Sequence, residues 1–492
     1  MTHDVVIVGG GAGGCVVASR LADDPKRTVL LLEAGPYYGA AEQWPEELVD
    51  GFGIPRTADW EYASEPLDYG VSFPLRRGKV IGGSTAVNYC VTLRGRPVDH
   101  DAWGMPDWSW HKVLPTYESL ERHPDDPPAR GKTPIRRYSR KELTDSQERF
   151  LAACETTGYP LVDDLNAPYA VGAGLTPLNQ VDGIRHNAAL VYLSDVDDRP
   201  NLEIRAGTEV HSVVVQGNRA TGVRLTSGEV IPARQVVLSA GSYNTPTILM
   251  RSGIGPAEHL KDVGIDVVVD NPAVGANLKE HPTTAVVYAA TAEQHDEPQA
   301  PLRTMLTLKT DPAEPDADIH IHAVATSPTQ TQEGHHPTGY DFRMTAGLVA
   351  PRSTGSVRLR SREIGDPPVI DTGVYRDPED VRRVVDGARV IWRLAESTPL
   401  AEILVAELVP GPAIAASGLE DAVRAVVGTY NHPVGTCRMG PGGVVDERCR
   451  VHGVADLVVI DASVFPVSSR ATTTLPVLMV AERAVGMNWG HA

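Results

Sequence analysis

Apolar and polar positions change period several times along the 492 residues. Residues 4–8 and 28–32 are short apolar runs of strand length. Between them, "GGGAGGCVVASRL" passes from glycine into a helical spacing that reaches Leu21. Together these predict one βαβ unit. Three more apolar runs, "EVHSVVV", "QVVLSA" and "LVVIDA", also have strand length. By contrast, "ADIHIHAVA" and "GSVRLRS" alternate, which predicts antiparallel strands, and "DPEDVRRVVDGARVIWRLAE" predicts a helix opened by Asp377 and Pro378. The last apolar run follows Thr472, Thr473 and Thr474, whose hydroxyls suit helix capping, with Pro476 suited to a first turn. Two polar, Pro-rich stretches, 122–134 and 327–341, predict surface loops or pocket lids. No repeat or low-complexity tract interrupts the pattern.

The length exceeds the ~100–200 residues of one domain, so two or more interleaved domains are expected. With 45 Lys and Arg against 63 Asp and Glu, the net charge of -18 argues against a nucleic-acid partner, whose phosphates need clustered cations. The five cysteines form no CxxC pair, which points to reduced thiols, a cytoplasmic setting and no metal site. No apolar run approaches the ~18 residues of a membrane span, and the chain enters its first strand without a leader pattern.

The candidate chemistry begins at the first turn. Gly9 permits a tight turn, Gly11 lets the backbone approach a pyrophosphate, and Gly14 lets helix and strand pack closely. Glu33, 19 residues after Gly14, closes the second strand where a carboxylate can take ribose hydroxyls. This context predicts a dinucleotide and does not separate FAD from NAD. Downstream, the small residues of "GKVIGGSTAVN" (78–88) let backbone amides touch a flat ligand. "GSYNTPTILMRSGIG" (241–255) taken alone reads as a capped core helix with a Thr-Pro start.

With the N-terminal fingerprint, these two stretches resemble the signatures of the glucose-methanol-choline (GMC) oxidoreductases. The resemblance continues through "VGANLKEHP", "STGSVRLRS", "NHPVGTCRMG", "VVDERCRVHGVADLVVIDASVFP" and the final helix, in the family's order. It implies an α/β fold: a Rossmann-like FAD-binding domain built from discontinuous segments 1–155, 195–280 and 425–492. An α+β substrate-binding domain with an antiparallel sheet would comprise 156–194 and 281–424. It also implies a set of FAD contacts. These are Gly9, Gly11, Ala12, Gly13, Gly14, Glu33 and Ala34 in the fingerprint; Gly82, Gly83, Thr85, Asn88 and Val91 in the first signature; and Ala240 and Gly241 in the second. Val210 matches a backbone position facing adenine. Asp461 and Ala462 match the ribityl and pyrophosphate region, and Thr472, Thr473 and Thr474 match the helix N-terminus at the flavin N1 and O2 edge. Thr92 departs from the usual aromatic or Ala. Val87 stands where some members attach flavin through His, so FAD is expected to be non-covalent.

By the same resemblance, His432 is the catalytic base that takes a hydroxyl proton as hydride moves to flavin N5. Thr472 occupies the second catalytic position, normally His or Asn, and Thr474 replaces a frequent second Asn. Threonine cannot serve as a general base near neutral pH, so His432 would work alone or through water, and capping would rest with Thr474. The implied activity is oxidation of a small-molecule alcohol to a carbonyl by an oxidase or dehydrogenase. Oxygen, a quinone or a redox carrier remain open as electron acceptor. The sequence weakly favours an uncharged or partly apolar alcohol. A non-redox, hydroxynitrile-lyase-like reaction on the same scaffold is the alternative, and a flavoprotein without catalysis is a third reading. His320 and His322 alternate on one strand face, read as a polar outer face in preference to one lining the pocket, and His335 and His336 are expected in a solvated loop. His281 is given no catalytic role, and Cys437 is read as a small buried hydrophobe.

Overall fold

The computed structural model describes residues 2–124, 131–291, 302–328, 336–411 and 418–490. His335 and parts of both Pro-rich stretches lie outside the described residues. Two sheets organise the chain. The first has the order β4 (Leu202–Arg205), β2 (Val29–Leu32), β1 (His3–Val8), β7 (Val230–Leu238), β6 (Arg219–Leu225), β5 (Val210–Gln216), with β14 (Leu457–Val459) also on β7. β4, β2, β1, β7 and β14 run parallel. Their apolar runs are continuous because both faces are covered: every residue of β2 is buried, as are Val5, Val6, Ile7 and Val8. β7 serves two purposes. Its first residues pair antiparallel with β6, and its last sit parallel between β1 and β14.

Helix α1 (Ala12–Leu21) joins β1 to β2 and packs against the final helix α6 (Thr474–Trp489). Gly14 is required where α1 passes the turn at the end of β1, since a Cβ there would lie 1.9 Å from the Gly9 carbonyl oxygen. At Gly13 the obstacle is the Ile460 carbonyl oxygen, at 2.2 Å.

The second sheet is antiparallel, in the order β12 (Leu404–Val409), β8 (Pro282–Ala290), β11 (Tyr340–Leu348), β10 (Ile319–Pro328), β9 (Thr304–Leu308), β3 (Gly172–Leu175). A short strand β13 (Gly428–Thr429) also pairs with β8. Ile319, Ile321, Met344, Ala346 and Leu348 share one core with helix α5 (Pro378–Ala395), whose N-cap Asp377 accepts a hydrogen bond from the Glu379 amide. Ser356–Arg358, from the second alternating stretch, pairs instead with Val369–Asp371 in a separate ribbon.

Two local expectations change. Helix α2 (Asp145–Thr156) buries Phe150, Leu151 and Cys154 in the second sheet's core, whereas α3 (Ala188–Tyr192) joins the first. These two helices therefore exchange sides relative to the expected division at 155 and 194. Helix α4 (Gly241–Arg251) starts at Gly241, so Pro246 lies inside it rather than at its start. The glycine-rich 78–88 stretch contains one 3₁₀ turn, Gly83–Ala86. No helix among the described residues is long and apolar enough to cross a membrane. Among those residues, no group of three or more His, Cys, Asp or Glu is placed to hold a metal.

Candidate active site

The carboxyl ends of β1, β2, β7 and β14 open onto one cavity of about 820 Å³, which is bounded on its other side by the second sheet. Ligands of parallel α/β sheets bind at such strand ends. Gly9, Gly11, Ala12, Gly13, Glu33, Ala34, Gly83, Thr85, Asn88, Val91, Val210, Ala240, Gly241, Asp461 and Ala462 line it, together with His432, Thr472, Thr473 and Thr474. Gly14 and Gly82 do not. Gly82 stands behind the lining, where its amide donates to the Gly10 carbonyl at 2.7 Å.

The residues at the strand ends fit a dinucleotide. The first amides of α1 have no intrahelical acceptor, and no side chain caps them. At the N-cap, Gly11, an added Cβ would meet protein only at the Ser239 carbonyl oxygen, 3.8 Å away, so its outer side is open. Glu33 accepts hydrogen bonds from the Gly10 and Gly35 amides, both at 2.8 Å. That uses one acceptor site on each oxygen and leaves another on each for hydroxyls. Burial pushes this carboxyl above its ordinary range. Asp461 accepts from the Gly241 amide at 2.9 Å and the Thr245 hydroxyl at 2.6 Å, tying β14 to the start of α4.

His432 sits where a strained turn places it. Asn431 adopts φ 59°, a left-handed conformation that asparagine tolerates, and its side-chain oxygen accepts from the Arg76 amide. Pro433 then biases His432 toward extended backbone. The His432 amide donates to Glu280 Oε1 at 2.7 Å, and the His281 amide donates to the same oxygen at 2.9 Å. The two rings meet at Nδ1 to Nδ1, 3.1 Å apart, and His281 Nε2 lies 2.8 Å from Ser468 Oγ. Thus His281, which the sequence reading set aside, is the ring partner of His432. Its signal, a histidine 151 positions away in another motif, becomes informative only once folding joins them. Burial lowers both imidazoles, His281 to about 4 and His432 well below its ordinary value, with mutual repulsion and Arg77 adding to the effect on His432.

His320 and His322 are not on an outer face. They are 2% and 6% exposed and line the cavity from β10; their rings contact each other, and the His322 ring also contacts that of Tyr430. Tyr430 in turn lies on Gly347 of β11, where an added Cβ would fall 2.1 Å from its ring. His336 is half-buried and bonded to Asp341 rather than solvated. Cys437 is a buried free thiol, as are the other four cysteines.

The three threonines do not cap α6 through their side chains. Thr473 is the N-cap residue without a side-chain hydrogen bond. Thr474 is already helical and accepts from Asn88 Nδ2 at 3.3 Å. The Thr472 hydroxyl donates to the Val91 carbonyl at 3.0 Å and accepts from the Leu93 amide at 3.2 Å. Expected capping gives way to cross-linking at Thr472 and Thr474, whose hydroxyls find partners in the segment after the glycine-rich stretch and in its last residue, Asn88.

The family model described as GMC oxidoreductase matches this chain in two parts, an N-terminal model at residues 3–283 and a C-terminal model at 351–481. Choline oxidase of Arthrobacter globiformis is 33% identical, over 98% of this chain and 94% of its own. Alcohol dehydrogenase [acceptor] of Pseudomonas putida is 29% identical, over 98% and 95%. Among solved structures, pyridoxine 4-oxidase from Mesorbium loti superposes with a TM-score of 0.91 at 30% identity, covering 100% of both chains. The chain belongs to the GMC oxidoreductase family and is an FAD-dependent alcohol oxidase or dehydrogenase.

Proposed function

We propose that this enzyme oxidises an alcohol CH–OH group to a carbonyl with His432 as the base. The observation that carries this reading is the His432–His281–Ser468 chain at the wall of the dinucleotide cavity. An Nδ1-to-Nδ1 contact requires one ring to donate and the other to accept. If His432 holds its proton at Nδ1, His281 accepts there and carries its own proton at Nε2, facing Ser468. His432 Nε2, without a partner among the described residues, is then an unprotonated acceptor for the substrate hydroxyl. Burial supports the neutral form.

The bound FAD supplies the acceptor for the hydride. The α1 amides and Gly11 would hold its pyrophosphate, Glu33 the ribose, and Asp461 with Gly241 the region between. The backbone amides opening α6 would favour negative charge on the isoalloxazine. Val87 offers no nucleophilic atom, so attachment is non-covalent. The relatives' names span choline, alcohols and pyridoxine, which supports a shared alcohol oxidation with differing substrates.

His432→Ala is expected to retain FAD and to slow anaerobic flavin reduction by an alcohol ~10²-fold or more in stopped flow. An unchanged rate removes His432 as base. Substrate turnover without flavin bleaching is the lyase's signature and would overturn the redox reading.

A further inference from the structure

The cavity has two unlike ends. Its four lining carboxylates, Glu33, Glu209, Asp366 and Asp461, belong to the strand ends and loops outside the second sheet. On the second-sheet wall, formed by Thr283, Ala285, His320, His322, Val324, Arg343 and Thr345, no lining residue is acidic among those described. Arg343 is exposed there and makes no ion pair with any described residue. Arg76 also lines the cavity and lacks a carboxylate partner among them; its side chain reaches the Pro55 carbonyl at 3.3 Å. Tyr89 is 44% exposed, and it lines the cavity. Both guanidinium groups act electrostatically on its phenol. The third nearby cation, Arg77, is balanced by the buried Glu280, which does not line the cavity.

Two guanidinium groups without a carboxylate partner among the described residues, both within electrostatic reach of a cavity-lining phenol in a chain of net charge -18, form a selective surface. A phenol face attracts cations, but here any cation over Tyr89 also meets Arg343 and Arg76. The imidazoles on the wall, whose pKa burial lowers, supply no negative charge to offset that repulsion. Guanidinium groups favour carboxylate and phosphate oxygens. Resting on the alcohol-oxidation reading above, we infer that the substrate is an alcohol carrying an anionic group, held by Arg343 with Arg76 beside Tyr89, and that quaternary-ammonium alcohols are selected against. This replaces the sequence-based expectation of an uncharged alcohol and separates this pocket from a choline site.

The test uses the FAD-loaded enzyme and two probes that cannot be oxidised, butanoate and tetramethylammonium, titrated through perturbation of the flavin visible spectrum. Butanoate should bind at least about tenfold more tightly than the cation. Arg343→Met should remove most of that preference and Arg343→Lys should retain part of it. Tetramethylammonium binding as tightly as butanoate, or butanoate binding unchanged by Arg343→Met, overturns the inference. In parallel, 4-hydroxybutanoate, choline and a panel of uncharged primary and secondary alcohols are compared as anaerobic reductants. If none reduces the flavin while butanoate binding still depends on Arg343, the anion site stands and the alcohol-oxidation reading falls. If choline reduces the flavin more efficiently than 4-hydroxybutanoate and binding shows no anion preference, that reading stands and the inference falls.

Discussion

At the residue scale, Thr472 shows how a position can keep its place and change its work. Its hydroxyl has one proton and donates it to the Val91 carbonyl, while it accepts from the Leu93 amide. Both bonds join the approach to α6 to the stretch after the glycine-rich loop. Thr472→Val is nearly isosteric and leaves that carbonyl and amide without partners. The expected result is a loss of ~1–3 kcal/mol in unfolding free energy, the cost of unsatisfied buried polar groups. Because the hydroxyl is already committed to backbone, flavin reduction should change only a few-fold. Equilibrium denaturation and stopped flow on one preparation separate the two effects, and a large kinetic loss at unchanged stability would assign the hydroxyl to the substrate instead.

At the element scale, the turn between β1 and α1 divides its glycines by purpose. A Cβ on Gly14 collides with the Gly9 carbonyl, whereas one on Gly11 enters open space on the cavity side. Gly14→Ala should therefore lower the stability of the FAD-free protein. Gly11→Ala should cost that stability no more than the ~1 kcal/mol by which Ala is poorer than Gly at an N-cap, and should weaken FAD retention. Thermal melts of both variants with and without FAD check this; equal behaviour would show that the turn has one role. The turn was legible in the sequence because backbone geometry demands those residue types at that spacing. The parallel strands were legible for a similar reason, because burial on both faces leaves a continuous apolar run. Alternation in β10 gave the right element and the wrong side. A period of two says that His320 and His322 share a face, but only the approach of the first sheet makes that face interior. The ring pair His432 and His281 was half legible, since each lies in a motif while their contact exists only in three dimensions.

At the scale of the whole molecule, closing the two sheets over one cavity encloses imidazoles that water would otherwise protonate. His322 gives the clearest case, because burial alone lowers it, from 6.5 to about 4. Below pH 6.5 the unfolded chain binds a proton at this residue and the folded chain does not, so unfolding takes up protons and stability falls as pH drops. The loss grows until pH reaches about 4, where both states are protonated. Its full extent is on the order of 3 kcal/mol. Raised carboxyls such as Glu280 and Asp461 act in the opposite direction, because the folded chain holds their protons longer. The total pH dependence therefore mixes signs, and a difference between two proteins isolates the histidine. In His322→Gln, which keeps a polar side chain and cannot titrate, the unfolding free energy relative to the parent should rise steadily from pH 7 to pH 4. Denaturant titrations at half-unit intervals measure that difference, and parallel curves for the two proteins would show that His322 titrates alike in the folded and unfolded chain.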